Sequence, residues 1–523
     1  MRLSKLLTSQ IPRVAGFVGR IPWLRRVISR RVINEACNAT SPRPRPFSMA
    51  SDYTTWRGLT DRRFTGRHLP AAAPERLEGL PSEAEVTALF RREKEIKSTD
   101  TSVMFAFFAQ WFTDSFLRTS HEEGKFGQNT SNHEIDLCQI YGLSEEKTTM
   151  LRAHEGGRLS SQLIGGEEFP PFLFEPRQPG GPLVFKSKFK GLHHEQFLTE
   201  VILGDMPDER KDSVFAVGLE HGNSTIGNTI MNVLFLREHN RVAGVLQQAN
   251  PDWDDERLFQ TARNVMIVIL LNLVVQQYIM HIAPFDFPLE NVAFLAEGAR
   301  WNRSNWIAIE FNLLYRWHSL VPDAIGQGDN RLEPHDFRNN NPLVISRGIE
   351  ELISQLSNEK SGRIGLLNTP QFLVDRHDHT PDQPSVEERT VGLMRKARLA
   401  SYNDYRRAFK LRPLRSFEEL TGDIVVRERL QRLYGDIDRL EWYVGIFAED
   451  YGEEMMMGGL LTAMVAYDAF TQALTNPLLA RNVYTENTFS PDGLKVIETT
   501  KTLQQIVARN SNPDKHVHTS FKV

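Results

Sequence analysis

The chain has 523 residues, 40% of them hydrophobic and 24% charged, with a formal net charge of −4. That is globular composition with room for a large core, and it carries no basic stripe interleaved with aromatics of the kind that binds nucleic acid. Cys37 and Cys138 are the only cysteines, which excludes a disulfide framework and a cysteine-rich zinc site.

Residues 1–46 hold ten basic residues, from Arg2 to Arg45, against one acid, Glu35. Between them Val14, Phe17, Val18, Ile21, Leu24, Val27 and Ile28 recur at three- and four-residue steps. This spacing predicts an amphipathic helix with an apolar stripe flanked by arginine, the pattern of a membrane-interface helix. The same pattern fits a helix docked on its own domain, or a targeting segment. A cleaved signal peptide fits poorly, because no apolar run of about 7 residues is present. Ser41-Pro-Arg-Pro-Arg-Pro46 marks a boundary. The chain therefore reads as a basic segment over 1–46, with membrane binding as one expectation, and one large, mainly α domain over 47–523.

In that domain the 3.6-residue period predicts helices over Val103–Leu117, with Thr101 or Ser102 as cap, and over Ile226–Leu246, Asp255–Ile282, Trp306–Leu320, Pro342–Leu356, Ser385–Ala400 and Gly458–Leu474. Strand signals are few, with Leu183–Lys186 the clearest. No apolar run reaches the about 18 residues of a transmembrane helix. Val265–Val275 reads as a buried core helix, interrupted by Asn272. The localisation expected is cytoplasmic or peripheral to a membrane.

Few histidines have the neighbours that chemistry needs. No His-Glu-x-x-His, P-loop, G-x-G-x-x-G after a strand or G-x-S-x-G occurs. His193-His194, His377-Asp378-His379 and His516-Val517-His518 sit in polar or loop-like stretches. Tyr315 and His318 are three residues apart, so on a helix they share a face. An iron-binding histidine there would place a redox-active phenol beside its cofactor, since haem commonly takes a proximal histidine. By itself the pattern is weak, since a lone histidine among aromatics is more often a hydrogen-bonded core residue.

Longer motifs decide between these. Glu310-Phe-Asn-Leu-Leu-Tyr-Arg-Trp-His-Ser-Leu-Val-Pro-Asp323 resembles the proximal-histidine and catalytic-tyrosine segment of the cyclooxygenases, members of the animal-type haem peroxidase superfamily. Met104-Phe-Ala-Phe-Phe-Ala-Gln-Trp-Phe-Thr-Asp-Ser-Phe116 resembles their distal helix. His133–Gly142, Leu236-Arg-Glu-His-Asn-Arg-Val242, Ser361–Gly365, Ser416–Gly422 and Leu433–Asp438 follow in the family's order, so similarity runs from about Asp52 to about Asn476.

The resemblance implies a mainly α fold with haem b between distal and proximal helices, His318 as axial iron ligand, Tyr315 as radical tyrosine and Gln110 as distal glutamine. It implies an oxygenase acting on an unsaturated fatty acid with O2, started by peroxide or a lipid hydroperoxide, and a homodimer. Tyr278, Phe285 and Thr471 fall along the implied substrate channel. The alternative is a haem peroxidase or hydroperoxide-converting enzyme of the same fold without dioxygenase activity.

Three departures stand out. Asp114 occupies the distal histidine's place, and aspartate's ordinary pKa of about 3.9 suits a base better than an acid. Cys37 and Phe285 fall where the family binds the fatty-acid carboxylate with arginine and tyrosine; neither can do so, so either Arg30 and Arg31 substitute, or the substrate enters in a different orientation, or it is not an acid. The cysteines for an epidermal-growth-factor-like module are missing.

Overall fold

Helix α1, Pro22–Cys37, begins on a proline, where the missing amide is one of the helix's unpaired donors anyway. A computed structural model describes residues 20–40, 48–49, 63–120, 124–284, 287–376, 382–512 and 514–523. Val14, Phe17, Val18, the proline-rich break at 41–46, Phe285 and His377-Asp378-His379 lie outside them. α1 buries Ser29, Val32, Ile33 and Cys37 against the helix Gly459–Leu474. Arg25 and Arg26 pair with Glu290, and the Trp301 indole donates to Asn34 Oδ1 at 2.7 Å. One face of α1 is thus docked on the protein. The other leaves Trp23 67% and Val27 54% exposed.

Helix α2, Val103–Thr113, starts where Ser102 Oγ accepts from the Phe105 amide and stops at Asp114, short of Leu117. Phe105, Phe107, Phe108, Trp111 and Phe112 are all buried, and each such side chain contributes about 1.5–3 kcal/mol through burial. Helix α3, Ile226–Ala249, crosses α2 at a glycine: a Cβ on Gly227 would lie 2.3 Å from Phe107 Cβ. Helix α4, Asp255–Leu273, packs on α3 and is buried from Val265 onward, as its apolar run implies.

The expected helix Asp255–Ile282 continues past α4, but through a π turn at Val274–Tyr278 before resuming at Ile279–Ile282. The Ile279 amide bonds to Val274 O, five residues back, which widens the turn. By length and composition this rod could cross a membrane, yet most of it is buried inside the protein.

Two expectations need correction. Pro342–Leu356 is two helices, Asn341–Arg347 and Ile349–Asn358, because Gly348 takes a positive φ of 80° between them. Leu183–Lys186 is not a strand; Phe185 makes one isolated bridge to Phe174. Among the described residues the sheets are three antiparallel pairs, Ser48–Met49 with Gly66–Arg67, Lys97–Ser102 with Lys360–Gly362, and Gln162–Ile164 with Glu167–Phe169. The protein is mainly α.

Gly227→Ala should force α3 away from Phe107, an overpacking cost of about 1–3 kcal/mol. A denaturant midpoint equal to that of the parent protein would contradict this packing.

Candidate active site

Helix α5, Ile309–Leu314, leads into the segment with the candidate tyrosine and histidine. Spacing predicts Tyr315 and His318 on one helical face, and this is not what forms. The helix stops at Leu314; Tyr315 has φ −89° and ψ 8°. Trp317 has φ −81° and ψ 50°, and a 3₁₀ turn follows over His318–Leu320. Side-chain partners override helical propensity here. Tyr315 packs edge-on against Phe311 at 5.3 Å and tilted against Trp317 at 4.7 Å between ring centroids. His318 turns the other way, toward an acid. Val321 is extended (ψ 121°), as the residue before Pro322 must be.

That acid is Glu387. Helix α6, Val386–Lys396, is opened by Ser385, and Glu388 completes the capping box. Glu387 is thereby free to point inward with Val391 and Met394. Its Oε2 lies 2.6 Å from His318 Nδ1, with side-chain exposures of 0% and 16%. Its Oε1 accepts from the Tyr443 hydroxyl at 2.8 Å, and Tyr443 is carried by helix α7, Trp442–Ala448. Among the described residues His318 Nε2 has no hydrogen-bond partner.

The Tyr315 hydroxyl is buried and faces that of Tyr278, which the π turn carries inward; among the described residues each phenol has the other as its polar neighbour. Burial pushes both phenols above the ordinary tyrosine range. Tyr278 stacks on Phe105 at 5.0 Å. Behind α5, Glu310 Oε1 accepts from the Tyr405 hydroxyl at 2.6 Å and from the His68 amide at 2.8 Å, and His68 Nε2 lies 2.9 Å from Asp468 Oδ2. These bonds fix the helix that ends at Tyr315.

Gln110 and Asp114, one turn apart at the end of α2, both face the start of α3. The Thr225 hydroxyl reaches Gln110 Oε1 at 3.5 Å, and Asn228 Nδ2 donates to Asp114 Oδ2 at 3.3 Å. Burial pushes the Asp114 carboxyl up to about 6, against the opposing pull of Arg118, Asn228 and Arg316. Burial thus moves this carboxyl away from its unperturbed value and toward neutral pH. Arg316 acts on Asp114 and on Tyr443, which ties the two groups of residues into one neighbourhood.

The remaining candidates are more dispersed. Thr471, on helix α8, Gly459–Leu474, is buried and donates to Tyr467 O at 2.8 Å. Cys37 is buried, and Arg30 and Arg31 lie on the exposed face of α1.

These residues fit a haem. Among the described residues no three His, Cys, Asp or Glu side chains converge to hold a bare metal ion. A single imidazole with Nδ1 engaged and Nε2 open suits a metal whose other positions a macrocycle fills. Glu387, Tyr443, Asn228 and Arg316 were not singled out from the sequence. Only Glu387 left a trace there, as an acid at the i, i+4 and i+7 phase of Val391 and Met394.

Comparison with known proteins agrees. Residues 115–521 match the pattern of the animal haem peroxidases. Rat (Rattus norvegicus) prostaglandin G/H synthase 1 is 31% identical over 512 residues, 96% of this chain and 79% of the relative. Cattle (Bos taurus) prostaglandin G/H synthase 2 is 30% identical over 95% of this chain and 78% of its own length. In three dimensions, rice (Oryza sativa) fatty acid alpha-dioxygenase superposes with a TM-score of 0.69 at 16% identity, over 97% of this chain and 92% of that one. With the sequence pattern, the relatives and the fold in accord, the protein belongs to the animal haem peroxidase family.

Proposed function

We propose that the protein is a haem b-dependent oxygenase that adds O2 to an unsaturated fatty acid through a radical on Tyr315. The observation that carries this reading is a buried phenol, facing only the Tyr278 hydroxyl, set three residues before an imidazole whose Nδ1 is taken and whose Nε2 is open among the described residues. The prostaglandin G/H synthase relatives support it, as does the fold shared with a fatty acid alpha-dioxygenase.

His318 would hold the haem through Nε2, on the far side of the ring from Glu387. When bound, haem would supply the one-electron oxidant, generated from a peroxide, that the Tyr315 phenol needs. Asp114, assisted by Gln110, takes the hydroperoxide proton at Oδ and returns it to the departing oxygen. Burial keeps Tyr315 protonated, so its phenol would give up electron and proton together, both to the bound oxidant, rather than ionising first. The phenoxyl radical then removes one hydrogen atom from the fatty-acid chain, which restores the O–H bond. O2 adds to the carbon radical, and the resulting peroxyl takes that hydrogen back to become the hydroperoxide.

The substrate's carboxylate has no partner at the family's positions, since Cys37 is buried and Arg30 and Arg31 face outward. That feature favours a second reading, a peroxidase using Asp114 and the same haem without dioxygenation. Residues 1–46 act as a membrane-facing segment before a catalytic domain over 47–523. Exposed Trp23 and Val27 beside exposed Arg20, Arg26 and Arg30 support this, as each basic residue near an anionic surface contributes about 1 kcal/mol.

His318→Ala should lose the Soret band of bound haem. Tyr315→Phe should keep that band and lose fatty-acid-dependent oxygen uptake; a Tyr315→Phe protein with full uptake would leave the peroxidase reading. The base form of Asp114 must accept the peroxide proton, so peroxide-driven haem oxidation should rise with pH through about 6 and level off above it. Asp114→Asn should be slow and flat over that range, and a stopped-flow profile unchanged in this variant would remove Asp114 from the chemistry. Trp23→Ser with Val27→Ser should weaken sedimentation with phosphatidylserine vesicles while leaving the denaturant midpoint in place; equal sedimentation would contradict membrane contact through α1.

A further inference from the structure

Glu387 is a fully buried acid at the start of a helix whose cap is already made by its neighbour Glu388. An acid in the first turn ordinarily faces water and the helix dipole. This one faces the protein interior, where its two oxygens take one donor each, His318 Nδ1 at 2.6 Å and the Tyr443 hydroxyl at 2.8 Å. The Tyr443 phenol is pushed well above its usual range by burial and by Glu387 beside it, so it keeps its proton and donates it. The other oxygen is left to accept the imidazole N–H. Among the described residues, His318 is the only basic side chain within ion-pairing distance of Glu387. Its negative charge therefore bears on the imidazole, tempered by one phenol.

We propose that Glu387 is the positioning residue of the iron ligand: it locks His318 in the tautomer that carries hydrogen on Nδ1, aims Nε2 at the metal and makes the imidazole an electron-rich donor that favours ferric over ferrous haem, while Tyr443 moderates that pull. A carboxylate behind a ligating histidine fixes its orientation and raises its basicity, and hydrogen bonding behind the axial ligand is one of the protein's levers on haem potential. The site is thereby set to rest in the ferric state, from which a peroxide-driven cycle starts. The inference rests on the reading of His318 as the iron ligand.

The test uses the haem-loaded full-length protein, without fatty acid or oxygen. The midpoint potential is read by spectroelectrochemistry and the iron–histidine stretch of the ferrous form by resonance Raman. Glu387→Gln keeps the shape and removes the charge. It should favour the ferrous form by about tenfold, an upward shift of about 59 mV for a one-electron couple, with a lower stretching frequency. Tyr443→Phe frees the carboxylate of its second donor and should move both readouts the opposite way. Opposite shifts support the proposal. A Glu387→Gln protein that binds haem with the parent's potential and stretch overturns it, and so do two variants that shift in the same direction. If Glu387→Gln takes up no haem, Tyr443→Phe decides alone, a lowered potential supporting the proposal and an unchanged one overturning it. A parent protein with no Soret band would defeat the ligand reading instead.

Discussion

A buried carboxylate must be met by donors, and the way Glu387 is met shapes the centre of this protein. Its two partners come from segments far apart in sequence, His318 after α5 and Tyr443 on α7. Removing one side of such a buried pair typically costs about 3–5 kcal/mol, because the other is left uncompensated. That requirement outweighs the few tenths of a kcal/mol per residue by which helix propensities differ. The backbone accordingly leaves the helix at Leu314 and reorients Tyr315 and His318 separately. The phenol goes into the aromatic packing around Phe311 and Trp317, and the imidazole goes to the acid.

The opposite half of the site follows a milder version of the same rule. Asp114 ends α2 beside the first turn of α3, an approach made possible by Gly227. There the carboxyl is buried with a weak partner in Asn228 and with Arg118 and Arg316 at longer range, so its charge is only partly compensated. The raised titration point comes from that shortfall. Location thus moves the Asp114 carboxyl toward neutral pH, and the same burial holds the Tyr315 phenol above its ordinary range.

Much of this was legible in the sequence, and what was not has physical reasons. The helical class, the helix capped at Ser102, the helix starting near Ser385, and the candidates His318, Tyr315, Gln110 and Asp114 all follow from local patterns and ordered motifs. The break after Leu314 and the π turn at Tyr278 do not, because both arise from contacts with distant segments and leave the local period intact. Gly348 was readable in principle, since glycine inside a helical pattern often marks a stop, yet the apolar period on either side masked it. Glu387 looked like an ordinary first-turn acid; only its phase with Val391 and Met394 set it apart. The docked face of α1 and its exposed Trp23 and Val27 show why one amphipathic pattern supported two readings, as the helix has a buried face and an open one.

The central claim is that haem held by His318 oxidises Tyr315. Its most direct test is freeze-quenched electron paramagnetic resonance of the haem-loaded protein mixed with a lipid hydroperoxide. An organic radical whose hyperfine splitting collapses when the protein is made with ring-deuterated tyrosine, and whose signal is missing or altered in Tyr315→Phe, is the predicted result. A protein that consumes the hydroperoxide and oxygenates fatty acid with no tyrosine-derived signal would contradict the account.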